Sequence, residues 1–348
     1  MLRKWNPSGE PIMQREAPED AGAEEKDRAS AHAAPGPTRN VHGNPILWRE
    51  IFTRAYGRRP LMIKLAYALA LALICFAALR PILMGEEKTA FFAAYGLLPV
   101  GVLSLLLVAA QAATSITSER DTGALDLLLV TDLTPQEFIF GKLGGILWNT
   151  KEYLVPPFLL SCVYAWFGCL ATPPANQPQL AVVMNVTSLL CLSAGFLIMQ
   201  AFAMILGVHV ALRNQNSRVA VLNTLGNIFF LTAGTLITIS LILINGRFEY
   251  QWASFIFFLG AGIGGLWWVL NGDRPSPALT LASWITPLSV FYGIANALVA
   301  KPGSQESADP VLSFLVIGGA FGFAIAAMLV PLLSEFDVAL GRTSGGAD

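Results

Sequence analysis

From residue 61 onward the chain runs as a succession of apolar stretches, near 61–83, 90–116, 153–171, 180–210, 219–244, 252–270, 283–300 and 311–333. A helix that crosses a hydrocarbon core of about 30 Å needs about 20 predominantly apolar residues. In lipid every backbone N–H and C=O must be satisfied within the protein, which leaves helices as the natural form for such stretches. The expected architecture is therefore all-α: a polytopic transmembrane helix bundle of about six to eight spans. The second, third, fourth, fifth and last stretches carry this expectation by length and lack of charge. The first has Lys64 and Arg80 near its ends, where long side chains reach the interface while their stems stay in lipid. The stretch 252–270 holds Gly260, Gly262, Gly264 and Gly265, and 283–300 is interrupted by Pro287. These two read either as spans or as a hairpin that dips into the membrane and returns.

The charges are concentrated away from these stretches. Only 13% of the residues are charged, against about 25% in ordinary soluble domains. Residues 1–60 hold 18 of the 45 charged side chains. Residues 1–43, rich in Ala, Pro, Glu and Gly, lack both the apolar core of a signal peptide and enough apolar surface to offset their ordering entropy. They are expected to be a disordered cytoplasmic tail. Cys75, Cys162, Cys169 and Cys191 lie inside apolar stretches without metal-ligand spacing and read as small buried hydrophobes. Residues 335–348 form a second, C-terminal tail.

Between tail and first span, residues 44–60 form an amphipathic segment. Asn44 suits an N-cap and Pro45 a first helical position. Trp48, Ile51 and Phe52 recur at helical spacing, with Arg49, Glu50, Arg54 and Arg58 on other faces. A basic amphipathic helix directly before a span either lies at the membrane surface or packs on another protein. Arg49, Arg54, Arg58 and Arg59 before the first span place the N-terminus in the cytoplasm, and the loop after the second span on the same side.

That loop is long for a connection between spans. It starts with Glu119, Arg120 and Asp121, continues through Gly123 into Leu125, Leu127, Leu128, Leu129 and Val130, and breaks at Thr131–Asp132. Thr134 then serves as N-cap, Pro135 as first residue and Glu137 in the first turn of a second helix. Two short helices are expected, with leucines covered by the chain's own spans or offered to a partner. The run from Glu119, Arg120, Gly123 and Leu125 through Leu127, Leu128, Leu129, Thr131, Leu133, Thr134 and Glu137 to Gly141 and Lys142 resembles the region between the second and third spans of ABC-2-type permeases. The segment 44–50 is similar to the elbow helix of that family, and the span order matches more loosely from about 44 to 334. The resemblance implies a transmembrane domain over 61–334 whose cytoplasmic segment 117–143 contains a coupling helix resting on a separate ATP-binding subunit. The implied interface with that subunit is Glu119, Arg120, Gly123, Leu125, Leu127, Leu128, Leu129, Thr134, Glu137 and Lys142. Trp48, Ile51, Phe52 and Arg54 would hold the interfacial helix in lipid.

The family likeness implies a non-catalytic permease of an exporter in the plasma (inner) membrane. Its partners would be the ATPase subunit, a second permease copy and membrane lipid, with no nucleic acid. ATP and Mg would bind in the partner chain and no cofactor in this one. Consistently, no G-x-x-x-x-G-K-[ST] phosphate loop occurs in the sequence, and the spans carry few carboxylates of the kind that relay protons. Lys151 and Glu152 are expected to form a local ion pair or an interfacial anchor. Gln111, Asn185, Gln200, His209, Asn223 and Asn227 either line a path or join helices by hydrogen bonds. Two other classes stay open: an ion-coupled secondary transporter or channel, and a membrane assembly factor without transport.

Overall fold

The computed structural model describes residues 4–5, 39–40, 43–52, 58–85, 90–125, 133–171, 178–244, 248–272, 275–299 and 309–334. Apart from a two-residue antiparallel pair, Lys4 opposite Asn40 and Trp5 opposite Arg39, the described residues are helical or turns. Most of the tail expected over 1–43, Arg54, and the C-terminal tail 335–348 lie outside them, as do Leu127, Leu128 and Leu129.

A short helix α1 (Pro45–Phe52) precedes eight helical columns. These are α2 (Arg58–Leu83), α3 (Ala90–Asp121), α4 (Pro135–Trp166) and α5 (Ala181–Arg213). The fifth joins α6 (Ser217–Phe229) to α7 (Thr235–Ile244) through a π-helical turn, and the sixth joins α8 (Phe248–Phe257) to α9 (Gly265–Asn271) in the same way. Helices α10 (Pro277–Val299) and α11 (Pro310–Ser334) complete the bundle. The first helix after α1 starts at Arg58, earlier than 61. Pro60 then falls in its first turn, where a missing N–H costs nothing, so Arg58 and Arg59 belong to α2 and not to the amphipathic segment.

Hydrogen bonds and side-chain contacts give the direction of each column. On α3 and α4, Lys142 Nζ donates to the Ser115 carbonyl at 3.3 Å and Ser104 Oγ to the Tyr153 carbonyl at 2.7 Å. Eleven residues forward on one helix thus match eleven backward on the other, and the pair is antiparallel. Lys64 and Ala78 of α2 meet Glu152 and Tyr164 of α4, so α2 and α4 are parallel. The Phe321 ring of α11 packs against Phe202 of α5 at 4.8 Å, and Gly318 lies against Ile198, so these two also run parallel. Arg213 at the end of α5 donates to the Leu270 carbonyl near the end of α9 at 2.7 Å. Among the described residues the chain therefore runs along the bundle eight times, and Ser334 returns to the end that holds α1. Both 252–270 and 283–300 belong to helices that run the full height, which removes the re-entrant alternative.

Seven helices among the described residues are long and apolar enough to cross a membrane. Helix α4 is not one of them, because the stretch up to its middle carries Glu137, Lys142, Lys151 and Glu152. Parity and its alignment with α2 and α3 nevertheless make it a crossing helix. Its two exposed tryptophans, Trp148 and Trp166, are 18 residues or about 27 Å apart, close to the hydrocarbon thickness. Tryptophans at such spacing sit at the two interfaces of a bilayer.

Close packing holds the centre. Ala109, Ala112 and Ala113 of α3 and Ala203 and Ala211 of α5 are fully buried. A Cβ at Gly207 would stand 2.6 Å from that of Ala112, an approach that only small residues allow. Pro157 supplies no N–H to the carbonyl of Tyr153, and Ser104 fills that vacancy from α3. Gln200 of α5 donates to the Ser104 hydroxyl at 2.9 Å, extending the link to a third helix.

The parity argument has a direct test. With single cysteines at Thr122, Ser334 and Met84 (all exposed), a membrane-impermeant maleimide should label the first two from one side and Met84→Cys from the other. Labelling of Ser334→Cys together with Met84→Cys would break the eight-crossing topology.

Candidate functional site: an ion cluster that clasps three helix ends

The residues singled out between 119 and 142 converge at the α1 end of the bundle. Helix α3 closes on Gly123, whose φ of +71 suits the left-handed residue that ends a helix; its N–H donates to the Arg120 carbonyl at 2.9 Å. Helix α4 opens with a complete capping box. Thr134 accepts from the Glu137 N–H at 3.2 Å, and the Glu137 carboxylate accepts from the Thr134 N–H at 3.2 Å. The local signals at Thr134, Pro135 and Glu137 thus start the helix expected there. That helix is not short: it continues unbroken for 32 residues to Trp166, because nothing between Gly141 and Lys151 breaks it. The expected second short helix is the projecting first part of the third crossing.

Lys142 is the centre of the site. It is 1% exposed, and its ammonium lies 2.6 Å from Glu50 Oε1 and 2.7 Å from Glu119 Oε1. Arg49 completes the cluster by pairing with Glu119 and standing 3.6 Å from Glu50. Two cations and two carboxylates from α1, α3 and α4 therefore neutralise one another where each is partly or wholly removed from water. The cluster sits about 9 Å from Trp148 along α4.

The three consecutive residues that end α3 each hold a different neighbour. Glu119 takes Arg49 and Lys142. Arg120 donates to the carbonyls of Ala211 and Asn214 at the end of α5, where free carbonyls favour a cation. Asp121 accepts from Ser217 Oγ, in the first turn of α6, at 2.5 Å. This use of Glu119, Arg120 and Asp121 has no local signature in the sequence, since apart from Lys142 the partners lie 70 to 96 residues away.

Helix α1 is seated by shape as well as charge. Gly141, Gly144 and Gly145 of α4 face it, and Cβ atoms there would come within 2.7, 2.9 and 2.6 Å of Ile46 Cβ, Leu47 Cδ1 and Glu50 Cβ. Ile46, 2% exposed, packs in a cluster with Ile116, Phe138, Ile139 and Leu332. Asn44 caps α1 through its side-chain oxygen and donates to the Glu137 carbonyl at 2.6 Å. On the other face Trp48 and Phe52 stack at 5.4 Å with Phe52 62% exposed, and Ile51 is half-buried.

The site residues thus divide. Lys142 and Leu125 are buried in the chain itself, and Glu119 and Arg120 are spent on internal contacts, so these four shape the surface from within. Gly123 and Thr134 are exposed and Glu137 half-buried, beside the segment 126–132. Glu152 pairs with Lys64 of α2 at 2.8 Å and not with Lys151, whose ammonium lies over the Trp148 ring at 3.6 Å. Of the polar residues inside the spans, Gln200 joins helices. Asn185 accepts from the Leu170 and Ala171 N–H groups, and Asn227 bonds back to its own helix. His209 is buried facing the carbonyls of Leu270 and Met328 without closing a hydrogen bond.

No family model, curated protein or solved structure matches this chain.

Removing one member of a buried ion cluster leaves the others uncompensated and costs about 3–5 kcal/mol. Lys142→Ala should therefore lower the thermal unfolding midpoint of the purified protein sharply. Lys142→Met combined with Glu50→Gln, which leaves Arg49 paired with Glu119 and restores charge balance, should recover much of the loss. Equal stability of Lys142→Ala and wild type would show that the cluster is not holding the helix ends.

Proposed function

We propose that this chain is the permease subunit of an ATP-binding cassette exporter. It forms the translocation path as a homodimer or heterodimer and couples to a separate ATP-binding subunit through the segment between α3 and α4. The observation that carries this reading is the clasp. The two helix ends that flank residues 126–132 and the amphipathic α1 are bound by Lys142, Glu119, Glu50 and Arg49 into one unit. A force applied to that segment would move α3, α4 and α1 together, as rigid-body coupling requires. The likeness of residues 119–142 to ABC-2-type permeases supports the same conclusion, as does the lack of a phosphate-binding loop in the sequence.

In this reading the α1 end faces the cytoplasm of a plasma (inner) membrane, in keeping with Arg49, Arg58, Arg59, Arg120, Arg213 and Arg218 at that end. Gly123, Thr134, Glu137 and the leucines 127–129 meet the ATPase. Leu125, Glu119, Arg120 and Lys142 stiffen the structure behind it. ATP and Mg bind in the partner. Trp48, Ile51 and Phe52 rest against lipid headgroups, where aromatic side chains favour the interface.

Mild-detergent purification of the tagged full-length chain from its native cells should recover a P-loop ATPase in fixed stoichiometry. Glu137→Lys together with Thr134→Trp at the exposed edge should release that ATPase while leaving the permease folded. Ion-gradient-driven flux by the chain alone in proteoliposomes, with no ATPase recovered, would favour a secondary transporter instead.

A further inference from the structure

The half of the bundle opposite α1 contains a slot with a different chemistry. Helices α3, α5 and α11 part there to leave a cavity of about 470 Å³, within the range of small-molecule sites. Its walls include Leu97, Leu192, Phe196, Phe314 and Ile317, and Cys191 lines it as well. No charged side chain lines it; the hydroxyls of Ser188 and Ser313 are its main polar groups. It runs from Pro310 to Gly318 on α11, about 12 Å, which is less than half the hydrocarbon thickness. On α5 it extends from Ser188 to Met199, about 16.5 Å.

We propose that this slot binds one acyl chain of a bilayer phospholipid. The surface around it carries the argument. Leu190 and Leu315, neighbouring the slot in sequence on α5 and α11, are 65% and 60% exposed, so in a bilayer the surrounding wall is in contact with lipid and an occupant arrives from there. A helix of a second copy, about 10 Å across with its side chains, is too thick for a space of this volume, whereas a flexible hydrocarbon chain fits it. Gly195 and Gly318 keep the slot open: a Cβ at Gly195 would touch only the Phe314 ring, at 3.7 Å, so a larger side chain there would extend into free space. Transfer of a chain from lipid to protein gains nothing from water exclusion, so retention depends on close packing against the two phenylalanine rings. This site stands whether or not the chain works with an ATPase.

Photolysis of the full-length protein in nanodiscs doped with phosphatidylcholine bearing an acyl-chain diazirine tests the assignment. Adducts should concentrate on the peptides that contain Cys191–Phe196 and Phe314–Gly318. Gly195→Phe should abolish them without reducing adducts on the lipid-facing side of α2. As a check that needs no refolding, modification of Cys191 with a bulky maleimide, after Cys75→Ala and Cys162→Ala, should also remove them. Adducts spread evenly over α2 and α4 with none in the slot would overturn the proposal. So would cross-linking of two copies through Cys191, which would assign the slot to a second protomer.

Discussion

A buried lysine ammonium is costly unless its charge is met, and Lys142 has two carboxylates to meet it. Everything else at the α1 end follows from that requirement. Glu50 must approach α4 closely, which needs the glycines at 141, 144 and 145. Glu119 must sit at the last turn of α3, and its excess charge is taken up by Arg49. Helix α1 is therefore held by an apolar anchor at Ile46, a cap at Asn44 that reaches α4, and an ionic bridge at Glu50. Eight residues alone make a marginal helix in water; this one owes its position to the bundle it rests on.

The two ends of the bundle are built on different principles. At the α1 end, charged groups link helices far apart in sequence, and Arg120, Asp121 and Arg213 extend the network to α5, α6 and α9. Such interactions resist displacement of one helix without the others. At the opposite end the described links include hydrogen bonds between neutral groups, such as the Leu170 N–H to Asn185 at 3.0 Å, Tyr164 to the Ala78 carbonyl at 3.4 Å and Asn296 to Ser313 at 3.4 Å. There the helices separate enough to leave the apolar slot.

Much of this architecture was legible in the sequence, for physical reasons that are local. Apolar stretches of span length, the N-cap at Asn44 and the capping box at Thr134–Glu137 are signals contained within a few residues. The features that escaped are long-range. Of the two readings of Lys151 and Glu152, a local ion pair or an interfacial anchor, the pair does not form: Glu152 reaches Lys64, because on a helix residues i and i+1 point apart. The unbroken course of α4 was hidden by the mixture of charges in its first half, which resembles a loop helix when read by hydropathy alone. Gly141 reads as part of a family-like motif, yet together with Gly144 and Gly145 it forms the seat of α1. The pairing of Glu119 and Lys142, both picked out as partner-facing, is internal because each satisfies the other.

The central claim is that Glu119 and Lys142 interact directly and hold the ends of α3 and α4 together. A double-mutant cycle on the purified full-length protein, with Glu119→Gln, Lys142→Met and the double variant, measures this without reference to any partner. The account predicts a coupling of about 1–3 kcal/mol in unfolding free energy, as for residues in one buried network. Strictly additive effects of the two substitutions would contradict it.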